Sequence, residues 1–298
     1  MTTGSKSKNL REWMRSAARQ LADVGIDEAM QEIRFLLDRG MGLDLTQQFL
    51  QAEKDLDPRW QQEADSLLAR RLKREPLSSI LGEQEFYGRP FKLNSFCLAP
   101  RPETELLVEL GIDWLKRNGK GKSLAIAEFC CGSGAPGISL FLEAKKVPEL
   151  ELNTLYLSDI QEGALNAAKE NAKLHGIEGF VESEICNLFP NNKWKFDLIL
   201  VNPPYIAHGE LATLMPEVRE YEPKLALDGG VDGLDFYRRL SVGVGDYLLP
   251  GGCLIMEYAY DQKEAVRELF LPWIEKGASW KSVNDLSGWP RAALLEIN

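Results

Sequence analysis

The tightest constraint on the fold lies late in the chain, where Phe196-Asp197-Leu198-Ile199-Leu200-Val201 runs straight into Asn202-Pro203-Pro204-Tyr205. A nearly continuous apolar run of this kind is expected of a strand buried on both faces. Two consecutive prolines cannot continue a central strand, because each lacks the ladder donor. The chain must therefore leave the sheet at the carboxyl end of that strand, where open α/β sheets bind their ligands. Around it the pattern alternates. A helix is predicted over 103–117, a strand over Leu124–Phe129 and a helix from Ala135. Then follow strand 154–158, helix 161–175, strand 180–185, helix 232–248, strand 253–258, helix 261–271 and final strands near 277–283 and 291–297. Such alternation implies a mostly parallel sheet covered on both faces, an α/β fold.

Upstream the pattern differs. Leu10, Trp13, Met14, Ala17, Leu21 and Val24 recur at helical spacing, and Asp27 is the expected N-cap of a second helix burying Ile33, Leu36 and Leu37. A further helix opens at Pro58 and stops at Pro76. Between Pro76 and Pro100, short runs at Glu85-Phe86-Tyr87 and Phe91-Lys92-Leu93 flank Gly88 and read as a hairpin. The expected organisation is a helical domain at 1–75, a hairpin linker at 76–102 and an α/β domain at 103–298.

At 298 residues the chain is long enough for two cores. No apolar run approaches a membrane span, and the polar MTTGSKSKNL start lacks a secretory pattern, so a cytoplasmic protein is expected. The five cysteines form no CxxC or Cys/His cluster and only two histidines exist, which predicts reduced thiols and no metal site. A net charge of −10 argues against a duplex nucleic-acid clamp, which neutralises phosphates with a basic face. The densest basic run, Arg70, Arg71, Lys73 and Arg74, ends a helix, where cations are expected from the helix dipole alone.

Glu128-Phe129-Cys130-Cys131-Gly132-Ser133-Gly134-Ala135-Pro136-Gly137 follows a strand and opens a helix. Glycines there let the backbone approach a ligand, and free helix N-terminal amides can bind it. Gly132, Gly134 and Gly137 also fit G-x-G-x-x-G with Asp159 downstream, so this turn by itself leaves three readings open: a dinucleotide site, a methyl-donor site or a structural turn. Glu128 and Asp159 both end strands where a carboxylate faces a ligand. Asp159 suits vicinal ribose hydroxyls, its bland alternative being a helix N-cap.

The tetrad decides between these readings. An sp² nitrogen is a poor nucleophile because its lone pair is delocalised, so an enzyme that methylates it must fix the NH₂ group and aim its π face. The Asn202 oxygen can accept one N–H, the Pro203 carbonyl the other, with Pro203 and Pro204 holding that carbonyl still. Tyr205 can stack on the planar group. Two acceptors on one nitrogen together with near-attack positioning need no side-chain base in the first step.

These residues resemble the release-factor glutamine methyltransferases, the PrmC/HemK-type enzymes. The likeness includes Arg74-Glu75-Pro76-Leu77, Glu85-Phe86-Tyr87-Gly88, the loop Pro100-Arg101-Pro102-Glu103-Thr104-Glu105, Tyr221-Glu222-Pro223, Asp232-Gly233-Leu234, Pro250-Gly251-Gly252, Glu257, Gln262 and Asp285-Leu286-Ser287-Gly288. It implies a small N-terminal helical domain and a seven-stranded Rossmann-like methyltransferase sheet with an antiparallel final strand. The donor it implies is S-adenosyl-L-methionine, and the substrate is the glutamine of a Gly-Gly-Gln motif in peptide-chain release factors, gripped in part by the helical domain. By the same resemblance Cys130, Cys131, Gly132, Ser133, Gly134, Asp159, Leu188 and Asn202 line the donor site, and Asn202–Tyr205 hold the glutamine. The chain departs from the family pattern at Cys130 (a glycine there), at Glu128 (an aspartate) and at Asn187, also an aspartate in the family, whose amide oxygen can still accept from the adenine amine. Ala259 stands where glycine is frequent. An adenine-N6 methyltransferase acting on DNA or RNA, and a glutamine methyltransferase acting on a ribosomal protein, are the alternatives. The charge counts against the first and Pro102-Glu103-Thr104-Glu105 against both.

Overall fold

The computed structural model describes residues 9–191 and 194–298. The chain divides into two compact units, one comprising Met1–Gly82 with Met215–Tyr221, the other Glu83–Leu214 with Glu222–Asn298.

The first unit is helical: α1 (Leu10–Asp23), α2 (Ala29–Met41), α3 (Leu45–Leu50), α4 (Pro58–Leu72) and α5 (Leu77–Leu81). Leu10, Trp13, Met14, Ala17 and Leu21 form the buried stripe of α1, packed with Ile33, Leu36 and Leu37 of α2. Val24 instead lies exposed just past the helix end. Asp27 does not cap α2. Its boundary residue is Glu28, which makes no side-chain capping bond. Asn9, Asp44 and Asp57 are the side chains that cap helices here, each accepting from backbone N–H groups of the first turn. The three arginines of the basic run at the end of α4 pair internally. Arg71 is only 5% exposed and donates to Glu32 and Glu217, while Arg74 donates to Glu217 and to the Val24 and Gly25 carbonyls. Arg70 pairs with Glu75.

The second unit opens with the hairpin β1 (Glu83–Phe86) and β2 (Arg89–Lys92). Tyr87 and Gly88 both have positive φ, 51° and 69°, the backbone that a two-residue hairpin turn requires. Phe86 and Phe91 are buried in the core of this unit. There follow α6 (Glu105–Asn118), β3 (Ser123–Phe129), α7 (Ala135–Ala144), β4 (Glu151–Asp159), α8 (Glu162–Leu174), β5 (Val181–Ile185) and β6 (Phe196–Val201). After α9 (Pro216–Tyr221), which belongs to the helical unit, come α10 (Asp235–Gly243), β7 (Leu248–Glu257), α11 (Lys263–Leu269), α12 (Leu271–Glu275), β8 (Ser279–Asn284) and β9 (Pro290–Glu296).

Seven strands form one sheet in the order β5-β4-β3-β6-β7-β9-β8. The first five are parallel to one another and β9 runs antiparallel to both neighbours, as the resemblance implies. Alternate residues serve opposite cores: Leu198 and Leu200 join one cluster, Ile199 and Val201 the other. Asp197 fits this apolar strand because its carboxylate accepts from the Ala125 amide at 2.9 Å. Two expected helices are shorter than their patterns. Residues 232–248 contain a helix only to Gly243, because Gly243 and Gly245 favour a tighter turn at Val244–Asp246. The 261–271 segment breaks at Phe270, ahead of Pro272, and resumes as α12.

Candidate active site

The chain lays β3, β4 and β5 outward on one side, then returns to place β6 on the other side of β3. That reversal is the switch point at which open sheets bind ligands. Register makes the consequence specific. Phe129 pairs with Ser158 on one side and Val201 on the other, so Cys130, Asp159 and Asn202 leave three adjacent strand ends together. Neighbouring strands lie about 4.8 Å apart, which puts the glycine turn, the acid and the tetrad around one crevice.

A cleft partly open to solvent occupies that crevice. Glu128, Cys130, Cys131, Gly132, Ser133, Asp159, Asn187, Leu188, Asn202 and Pro204 all line it. Gly134, Pro203 and Tyr205 are not among its walls. Gly134, at φ +74°, instead starts α7, and Tyr205 is half-buried beside the cleft. Leu98, Pro100, Arg101, Thr104, Ile160 and Phe236 are among the other residues that line it.

On the glycine side the backbone is contorted. Cys130 and Gly132 have φ of +54° and +53°, and Leu188, which also lines the cleft, has +71°. Left-handed conformations at non-glycine residues concentrate at ligand sites. The two acids are held by backbone amides. Glu128 accepts from Gly137 at 2.9 Å, and Asp159 accepts from Gly132 and from Gln161, both at 2.9 Å. Asp159 is thus not the N-cap of α8, a place taken by Gln161. It braces the glycine turn while lining the cleft, and each carboxylate oxygen can accept more than one hydrogen bond. Burial pushes the Glu128 carboxyl up to about 8, against the stabilising Gly137 amide. Burial also raises Asp159. Asn187 is fixed by Arg239, which donates to its Oδ1 at 2.9 Å and its carbonyl at 2.6 Å.

On the tetrad side the backbone is clamped. Gln262 Nε2 donates to the Tyr205 carbonyl at 2.9 Å, and Ile206 bridges to Asp228. Gly229 and Gly233 pack so closely that a Cβ on Gly233 would lie 2.3 Å from the Tyr205 oxygen. The Pro100–Glu105 loop is equally committed: Arg101 pairs with Glu222, Asn202 Nδ2 donates to Thr104 Oγ1 at 3.4 Å, and Glu105 accepts from the Tyr87 amide at 2.7 Å. Thr104 and its buried neighbour Glu257 escaped the sequence reading as site residues. The available signal was a lone acid closing the apolar strand Cys253–Met256. Burial pushes the Glu257 carboxyl up to about 7. All five cysteines are free, and burial raises the thiols of Cys130 and Cys131. Among the described residues no cluster of three or more His, Cys, Asp or Glu is placed to hold a metal, and no helix is long and apolar enough to cross a membrane.

Residues 12–82 match the PrmC N-terminal domain family and residues 104–220 the methyltransferase small domain family. Together with the seven-stranded sheet and its switch-point cleft, this makes the chain a methyltransferase. The release factor glutamine methyltransferase of Geobacter sulfurreducens is 40% identical over 251 residues, 84% of each chain. That of Cereibacter sphaeroides is 36% identical over 256 residues, 86% of this chain and 87% of the other. The chain belongs to the release factor glutamine methyltransferase family. In fold alone it also resembles the hMettl16 catalytic domain solved with MAT2A 3′UTR hairpin 6, with a TM-score of 0.54 at 12% identity over 78% of this chain and 82% of that one.

Proposed function

We propose that the chain transfers a methyl group from S-adenosyl-L-methionine to the side-chain amide nitrogen, N5, of the glutamine in the Gly-Gly-Gln motif of peptide-chain release factors. The observation that carries this reading is the convergence of Asn202, Asp159 and the glycine turn at adjacent strand ends. The walls suit the donor: Asp159 offers a carboxylate to ribose hydroxyls, Leu188, Ile160 and Phe236 offer apolar surface, and Gly132 allows close backbone approach. When bound, the donor supplies an electrophilic methyl group on a sulfonium.

The protein's part is positioning. Asn202 Oδ1 and the Pro203 carbonyl each accept one N–H of the glutamine amide, which turns the nitrogen's π face toward the donor side. Tyr205 covers the plane and excludes water. The nitrogen's surplus proton passes to water at the open mouth of the cleft after the methyl arrives, with no side-chain base needed to start. The internal pairing of Arg70, Arg71 and Arg74 favours a protein substrate over nucleic acid, since three of the four cations in the basic run already have carboxylate partners.

The test incubates the protein with methyl-labelled donor, a purified release factor and DNA, then locates the label by mass. Label on the Gly-Gly-Gln glutamine is expected. Label on an adenine, or on a ribosomal protein in a parallel incubation, overturns the substrate assignment.

A further inference from the structure

The proposed chemistry needs the Asn202 side chain one way round. With Oδ1 toward the cleft it accepts a substrate N–H; flipped, it presents its own NH₂ and repels one. The structure holds Nδ2 on Thr104 Oγ1 at 3.4 Å. A hydroxyl can donate or accept, so Thr104 alone does not decide the orientation. What lies beyond it does. Glu257 ends β7 opposite the tetrad, since Val201 pairs with Met256 one residue earlier on each strand. Its side chain is buried, 2% of the residue being exposed, and its Oε1 accepts from the Tyr205 hydroxyl at 3.3 Å. Glu257 Oε2 is buried and has no hydrogen-bond partner among the described residues, and the Thr104 hydroxyl favours the charged form of this carboxyl.

On the reading proposed above, we infer that Glu257, acting through Thr104, is the positioning residue that fixes the polarity of the Asn202 amide and, through its bond to Tyr205, the plane of that ring. An ionised carboxylate only accepts. It therefore takes the Thr104 proton, leaves the Thr104 lone pairs to Asn202 Nδ2, and turns Asn202 Oδ1 toward the substrate. The same carboxylate holds the Tyr205 hydroxyl, so a single buried group aims both side chains of the tetrad. Its own backbone is anchored, because the Tyr237 hydroxyl donates to the Glu257 carbonyl at 2.7 Å.

Protonation reverses the chain. A neutral Glu257 donates to Thr104, which then donates to Asn202 Oδ1 and brings the wrong face to the cleft. The groups facing Glu257 are Thr104, Tyr205 and Arg291, which favour its charge, and Glu103, which opposes it, with Tyr237 alongside. Turnover is thus expected to rise with pH around neutrality.

The experiment compares wild type, Thr104→Val, Thr104→Ser and Glu257→Gln as full chains, measuring kcat at saturating donor and release factor from pH 6 to 9, and donor Kd by calorimetry. Thr104→Val is expected to lower kcat roughly 10- to 100-fold, the scale of losing one positioned polar group or less, with donor Kd held within about twofold. Thr104→Ser restores kcat to within a few-fold, and Glu257→Gln lowers it and abolishes its rise near neutral pH. Wild-type kcat in Thr104→Val or in Glu257→Gln overturns the inference. So does a Thr104→Ser enzyme as slow as the valine variant, or a Glu257→Gln chain that has lost donor binding. The ratios are read on whichever planar amine the wild type methylates, so a wrong substrate assignment and a wrong positioning role give different results.

Discussion

The two rims of the cleft start from the same rung of the sheet, at Phe129 and Val201, and are built by opposite means. The glycine rim uses conformational freedom: residues 130, 132 and 134 all have positive φ, and its acids are tied down by backbone amides. The tetrad rim uses restriction: two prolines, a glutamine clamp on the Tyr205 carbonyl, and glycines that serve as close packing surfaces. On the function proposed above, the difference follows from what each rim would do. A donor site needs backbone and carboxylate brought near a large ligand. An acceptor site needs two oxygens held at a fixed separation around one nitrogen. Substitutions on the two rims should therefore separate donor affinity from turnover.

The largest separation is expected for Asn202→Ala, which should lower kcat by roughly 10²–10³ while donor Kd stays within a few-fold. Steady-state kinetics beside calorimetry check it, and a comparable loss in donor affinity would erase the division between the rims.

Next comes Gly233→Ala. Its Cβ would meet the Tyr205 carbonyl oxygen at 2.3 Å and the Gln262 amide at 2.6 Å, at a φ of +74°. Overpacking against backbone with a left-handed alanine is expected to cost about 2–4 kcal/mol of stability. Because the displaced atoms belong to the tetrad, kcat should fall further than donor affinity. Gly137→Ala is its counterpart on the other rim. There the new Cβ lies 2.6 Å from Glu128 Oε2, so donor Kd should rise more than kcat falls.

How far the sequence revealed these rims depends on whether the causes are local. The prolines after β6 and the glycines after β3 act through their own backbones, and both positions are legible. The alternating pattern also announces the sheet. What residue order conceals is pairing at long range. Thr104 reaches Asn202 across 98 residues from a three-residue turn, and Asn187 is held by an arginine 52 residues away. Nothing near Asp27 shows that α2 would begin a residue late and leave it uncapped. Nor does the apolar pattern of 232–248 betray that Gly243 and Gly245 close the helix early.

A third effect concerns pH on the glycine rim. The folded protein raises Glu128 from its ordinary 4.5 to about 8. A carboxyl with a raised folded value contributes stability below its unfolded value and loses it as pH climbs through the folded one. Stability should accordingly decline between about pH 4.5 and 8, with Glu257 adding in the same sense up to about 7. Replacing Glu128 with glutamine should flatten this decline by on the order of 2 kcal/mol, read as a smaller difference in Tm between pH 6 and pH 9. An unchanged pH profile in Glu128→Gln would show the carboxylate to be solvated in the cleft rather than penalised by burial.

The smallest effect is the most discriminating about how the glycine rim works. Cys130 holds a φ of +54° at a position where the sequence resemblance implies a glycine. A left-handed L-residue costs roughly 1–2 kcal/mol, which Cys130→Gly would relieve. Glycine also enlarges the unfolded ensemble and gives back roughly 0.5–1 kcal/mol of that gain. The substitution also removes a side chain from a wall of the cleft. The balance should be a stability change within about 1 kcal/mol, with donor affinity equal to or slightly tighter than wild type. If the rim works by backbone conformation, the variant keeps full donor binding. If Cys130 contributes through its side chain, Cys130→Gly weakens the donor severalfold while Cys130→Ser does not, and calorimetry on the two variants separates the cases.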